Sequence, residues 1–133
     1  MKFLNVDLEI TAPESLQPIV DHLGESVSVL YHDDHDDDEY LLVLELNPEP
    51  AEKAVETTIA ALCTLIETLP EAAKYHWQNA TTRIFDIGYE AERESERSIV
   101  DVSPAALVRI ANLNATLRTT IYHESEPIAE PEA

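Results

Sequence analysis

The densest chemistry in this sequence is the run His32-Asp33-Asp34-His35-Asp36-Asp37-Asp38-Glu39. Imidazoles and carboxylates crowded together can hold Ca²⁺, Mg²⁺, Zn²⁺ or Ni²⁺. A helix–loop–helix calcium site also needs a glycine at its sharp turn, and this run has none. His32 and His35 are three residues apart, a spacing that aligns side chains on a helix but not at a hairpin tip. A divalent-cation site at His32, His35 and Asp36 is therefore the second reading of the run. The first is a solvated acidic tip that attracts basic groups.

Nothing in the rest of the chain assembles a known catalytic motif. There is no G-x-S-x-G and no H-E-x-x-H. Cys63 sits beside Leu62 and Ile66 in an apolar stretch, which reads as inert core. His76 adjoins Trp77, His22 ends a helical pattern and His123 follows the last strand pattern. Asp7 and Glu9 share one face of a strand, where two carboxylates can do acid–base work or simply face water. The expectation is a protein that binds rather than catalyses, with no catalytic residue and no cofactor.

Charge supports that direction. The 133 residues carry 27 acids and 8 bases, a net charge of −19, and protonating all five histidines leaves −14. Direct nucleic-acid binding is disfavoured, since neutralising phosphates needs lysine and arginine. With only two glycines, Gly24 and Gly88, no glycine-rich phosphate loop is present. One cysteine excludes an internal disulfide and multi-cysteine metal sites. Apolar residues make up 44%, enough for a core. No apolar run reaches membrane-span or signal-peptide length, so a cytoplasmic protein is expected.

Period-two alternation marks a strand at 3–10, with Leu4, Val6, Leu8 and Ile10 on one face. Leu16, Ile19, Val20 and Leu23 have helical spacing. Pro18 belongs in a first turn, so this helix begins near Ser15, and Gly24 ends it. Strands follow at 26–31, with Val27, Val29 and Tyr31 on one face, and at 40–46. The acidic run connects these two strands. A helix spans about 50–69, and 71–80 forms at most a short turn. Strands at 82–90 and 97–102 are joined by a charged tip. Ser103-Pro104 opens a helix with a capping hydroxyl and then proline at the first position. Asn112 or Asn114 closes it, and 115–122 is the last strand. The tail 124–133 has four glutamates and no base, and should be disordered beyond a single domain at 1–123.

This β-α-β-β-α-β-β-α-β order predicts an α+β, two-layer sandwich with about six strands in a mixed sheet and three helices on one face. The segment Val102 to Tyr122 resembles the C-terminal signature of a family of uncharacterised bacterial domains. There a serine-opened helix leads through a polar turn into a strand ending in isoleucine-tyrosine. The resemblance implies a ferredoxin-like α+β fold and brings no reaction, ligand or catalytic residue.

Ten of the 27 acids lie in 32–39 and 124–133, 18 residues without a base. The other 115 residues carry 17 acids and 8 bases, a net of −9. With parallel β-α-β crossovers, the six-strand order places the acidic hairpin and the tail at one end of the sheet. The resulting negative pole would capture a basic protein partner. The contacting residues would be Asp33, Asp34, Asp36, Asp37, Asp38 and Glu39, aided by Glu92, Glu94 and Glu96. Tyr31, Tyr40 and Trp77 would be the aromatic anchors. An inhibitor, an immunity protein or a nucleic-acid mimic would look like this. The competing reading is acidity that serves solubility or salt adaptation alone. An edge strand also permits a homodimer.

Overall fold

The computed structural model describes residues 2–34 (33 and 34 by backbone alone), 39–51, 53–91 and 99–123. Strand β1 (Lys2–Ala12) follows its alternation: Val6, Leu8, Ile10 and Ala12 are buried, while Asn5, Asp7, Glu9 and Thr11 are half-exposed. Helix α1 (Gln17–Leu23) starts two residues after Ser15, whose hydroxyl accepts from the Gln17 N–H at 3.2 Å. Gly24 ends it with φ +51°, a value that favours glycine, and its N–H bonds back to the Val20 carbonyl. Strands β2 (Val27–Asp34) and β3 (Tyr40–Leu46) follow.

Helix α2 (Val55–Glu67) begins five residues later than expected. Ala54 is still extended there, and its carbonyl accepts from the hydroxyls of Thr57 at 3.0 Å and Thr58 at 2.7 Å. The segment at 71–80 is more than a turn: Glu71–Gln78 is a full helix, α3, which buries Ala73 and Trp77. Strand β4 (Thr82–Glu90) comes next. No strand forms at 99–102. Val100 and Val102 instead pack against the core as irregular chain, and Ile99 stays exposed. Residues 97 and 98 of that expected strand lie outside the described residues.

Helix α4 (Pro104–Asn112) is opened by Ser103, whose hydroxyl oxygen accepts from the Ala106 N–H at 3.1 Å. The Ser103 N–H and hydroxyl both donate to the Glu56 carboxylate at 2.8 Å, and Arg109 donates to Glu67 at 2.7 and 3.0 Å. Both ends of α4 are thus held to α2. Asn114 closes the turn after it at φ +57°, the left-handed conformation that asparagine tolerates, and β5 (Thr116–Tyr122) ends the fold.

The result is an α+β fold with one mixed five-stranded sheet, ordered β2-β3-β1-β4-β5, and four α-helices among the described residues. The expectation of about six strands and three helices is corrected accordingly. β1 pairs antiparallel with β3 and β4, β2 pairs antiparallel with β3, and β5 runs parallel to β4. Leu42 and Leu44 of β3 and Phe85 and Ile87 of β4 join the buried face of β1. Ile19, Ile59, Leu62, Ile66, Trp77 and Ile110 from the helices complete one core.

Topology puts the end of β2 and the end of β5 at opposite ends of the sheet, while 35–38 and 124–133 of the expected pole lie outside the described residues. Ala12, Asp34, Tyr40 and Thr82 meet at one end of the sheet, where β2 hands over to β3. Lys2, Glu90 and Tyr122 meet at the other, where β5 ends. The separation is eight residues of strand, roughly 25 Å. The pole required a strand at 97–102 to reverse the chain before the last helix. Instead β5 runs parallel to β4 and finishes beside its end.

Replacing Ser103 with alanine removes the α4 cap and one bond to Glu56. It should lower the unfolding free energy by about 1–2 kcal/mol in urea titrations. An unchanged midpoint would show that the cap is not what starts the helix.

Candidate functional site

The strand residues that do not enter the core share the opposite face of the sheet. On β1 these are Asn5, Asp7, Glu9 and Thr11. Register places Asp86 of β4 directly opposite Asp7. On the other side Leu8 pairs with Leu44, which puts Glu45 of β3 next to Asp7. Glu9 lies two residues along on the same face. Four carboxylates from three adjacent strands therefore gather around Asp7. Like charges placed opposite one another on a sheet repel.

Three of these carboxylates have donors. Thr120 of β5 donates its hydroxyl to Asp86 at 2.7 Å. Arg118, also on β5, reaches Glu9 at 3.2 Å and Asp86 at 3.4 Å. The Asn5 amide donates to Glu45 at 2.5 Å. Among the described residues no donor reaches Asp7. Its pKa is pushed up to about 6, first by burial and then by the charges of Glu45, Asp86 and Glu9. Among the described residues the cluster around Asp7 thus sets four carboxylates against one guanidinium.

Apolar groups flank this cluster. Tyr31 of β2 pairs with Val43 of β3 and is 45% exposed. Leu41 and Val43 are half-buried on the same face, and Ile84 of β4 is nearly covered. At the far side Tyr122 lies over Gly88, its ring 3.6 Å from where a Cβ would stand. The combination is a flat, acidic, partly aromatic surface. None of the four main cavities is lined by Asp7, Glu9, Glu45 or Asp86. Among the described residues no three His, Cys, Asp or Glu side chains are arranged to hold a metal ion.

The residues singled out from the sequence land in different places. Tyr31 is exposed on the acidic face. Its expected alignment with Val29 fails, because a bulge at Leu30 puts Val29 opposite Leu44 and Tyr31 opposite Val43, on opposite faces. Tyr40 packs against the core beside the helices, so it is not a surface anchor. Trp77 is only 4% exposed, and its indole N–H donates to the Leu113 carbonyl at 3.1 Å. It is core rather than an anchor for a protein partner. His32 pairs with Leu42, and Asp33 and Asp34 continue β2 by backbone pairing with Leu41 and Tyr40. Glu39 is half-exposed just before β3. His35, Asp36, Asp37, Asp38, Glu92, Glu94, Glu96 and the tail 124–133 lie outside the described residues.

The remaining reactive groups behave structurally. Cys63 is fully buried, and burial pushes its thiol pKa up, away from the reactive thiolate. His76 stacks edge-on against Tyr75 and lies 3.7 Å from Glu14. The residues that sequence reasoning missed are Glu45, Asp86 and Arg118. Their signal is a lone charge inside an apolar strand, Glu45 in Leu41-Val43-Leu46 company and Asp86 between Phe85 and Ile87.

No protein-family model, curated protein or solved structure matches the chain. No helix among the described residues is long and apolar enough to cross a membrane.

Because Asp7 holds its proton more tightly when folded, its contribution favours the folded state at low pH. That contribution is lost as pH rises from about 4 through about 6. Replacing Asp7 with asparagine should stabilise the protein at pH 7.5 by roughly 1 kcal/mol, after solvent screening of this half-exposed group. The gain should vanish towards pH 4. Urea titrations of both proteins across pH 4–8 check this. A loss of stability at pH 7.5 would contradict the repulsive cluster.

Proposed function

We propose that the chain is a non-catalytic acidic binding domain whose open sheet face receives a basic surface of a partner protein. The carrying observation is the gathering of Glu9, Glu45 and Asp86 around Asp7 on the open face of the sheet, with one arginine reaching Glu9 and Asp86 alone. Ionising all four carboxylates there costs free energy, as the raised pKa of Asp7 indicates. A lysine or arginine from a partner would lower that cost, so the complementary ligand is a cationic one. Tyr31 supplies an exposed aromatic at the rim, the residue type that interfaces favour. A flat face without a cleft suits a protein surface better than a small substrate.

The acidic run at 33–39 enters this reading differently from the pole. The backbone of Asp33 pairs with Leu41, so the run begins at one end of the same sheet, and 35–38 lie outside the described residues. The partner class remains a basic nuclease-like, toxin-like or nucleic-acid-binding protein, with this chain in an inhibitory or immunity role in the cytoplasm. In the fold, β1-α1-β2-β3-α2-β4 with order β2-β3-β1-β4 supports a ferredoxin-like, two-layer arrangement extended by α4 and β5.

The test is capture from native lysate at low and high salt, with matched variants. Glu45→Gln/Asp86→Asn removes two charges from the face; Asp21→Asn/Glu25→Gln removes two elsewhere. The proposal expects a basic protein whose retention weakens with salt and falls at least fivefold in the face variant alone. Equal loss in both variants, or no basic protein even at low salt, would refute it.

A further inference from the structure

A cavity of about 270 Å³ opens where α2, α3, the start of β4 and the α4–β5 turn meet, remote from the acidic face. Its lining includes Lys74, Trp77, Gln78, Arg83 and Asn112, together with Glu67. In a chain of net charge −19 two bases in one cavity are unexpected, and their partners explain why they matter. Lys53, Arg109 and Arg118 each stand within 4 Å of a carboxylate. Lys74 and Arg83 have no carboxylate partner among the described residues. Glu67 does not supply one, since Arg109 grips both its oxygens at 2.7 and 3.0 Å.

Arg83 is held in place by backbone carbonyls. Its Nε donates to Asn114 at 2.9 Å, and its Nη1 donates to Trp77 and Ala80 at 2.9 Å. Those bonds use three of the five guanidinium N–H groups and leave the Nη2 pair without an acceptor among the described residues. Carbonyl oxygens fix the guanidinium without cancelling its charge. The amides of Gln78 and Asn112 add neutral donors, and Trp77 adds an apolar wall. We infer that this cavity binds the oxyanion group of a small molecule, a carboxylate or a phosphate, between the Lys74 amine and the Arg83 guanidinium. Ligand pockets commonly begin near 300 Å³, so the occupant is small. Charge-assisted bonds to an anion are the strong kind, and a preplaced guanidinium loses little freedom in making them.

Trp77 is the only tryptophan and lines this cavity, so its fluorescence responds to an occupant there. The full chain is titrated with inorganic phosphate, benzoate and phenyl phosphate, with sodium chloride holding ionic strength constant. At least one should give a saturable change, and its midpoint should rise at least fivefold in Lys74→Gln while Lys53→Gln keeps the original value. Saturation with benzoate alone assigns a carboxylate, and with phosphate or phenyl phosphate a phosphate group. No saturable change with any of the three would overturn the inference. So would equal midpoints in the native protein and Lys74→Gln, or an equal rise in Lys53→Gln.

Discussion

The core of this structure holds a repulsion in place on the opposite face of its sheet. Asp7 stands in the central strand with Asp86 opposite it, Glu45 beside it and Glu9 two residues along. The buried face of β1 fixes this placement. Val6, Leu8 and Ile10 are fully buried, so β1 cannot slip by one residue to relieve the charges without turning its core residues outward. Hydrophobic burial therefore holds a charge arrangement that would not be stable by itself. Burying each of those side chains contributes about 1.5–3 kcal/mol, well above the cost of a half-solvated carboxylate cluster.

Strand β5 decides how far that repulsion is relieved. Its parallel pairing with β4 carries Arg118 over Glu9 and Asp86 and brings Thr120 to Asp86. Asp7 is left without a donor among the described residues. The same strand ends beside Glu90, tied there by the Ala91 N–H to the Tyr122 carbonyl at 2.9 Å. One strand thus sets both the local balance of the acidic face and the place where β5 ends, at the opposite end of the sheet from the end of β2. The bases on the helix side are placed by a different logic: Arg83 serves the backbone carbonyls of Trp77 in α3, Ala80 after it and Asn114 before β5, and keeps its charge uncancelled.

Features set by neighbours in sequence were legible before the fold. The β1 alternation, the Ser103-Pro104 helix start, the Gly24 stop and the left-handed Asn114 depend on a few adjacent residues, and each stands as expected. Features set by pairing were not. The bulge at Leu30 sends Val29 and Tyr31 to opposite faces, and its cause lies in the register with β3. Asp7 and Glu9 were readable as one wet strand face. Their partners Glu45 and Asp86 lie 38 and 79 residues from Asp7, and only strand order brings them there. The acidic run dominated the sequence because it is contiguous, whereas the cluster on the sheet is assembled from three strands. Of the strand expected at 97–102, the described residues 99–102 form irregular chain, with Val100 and Val102 packed against the core.

The most direct measurement is a site-resolved NMR titration of the Asp7 side-chain carboxyl in the isolated protein. The account predicts a midpoint near 6, well above an ordinary aspartate, because burial and three neighbouring carboxylates oppose its ionisation. A midpoint near 3.8, the ordinary value, would mean that the face carries no unrelieved repulsion for a basic partner to satisfy.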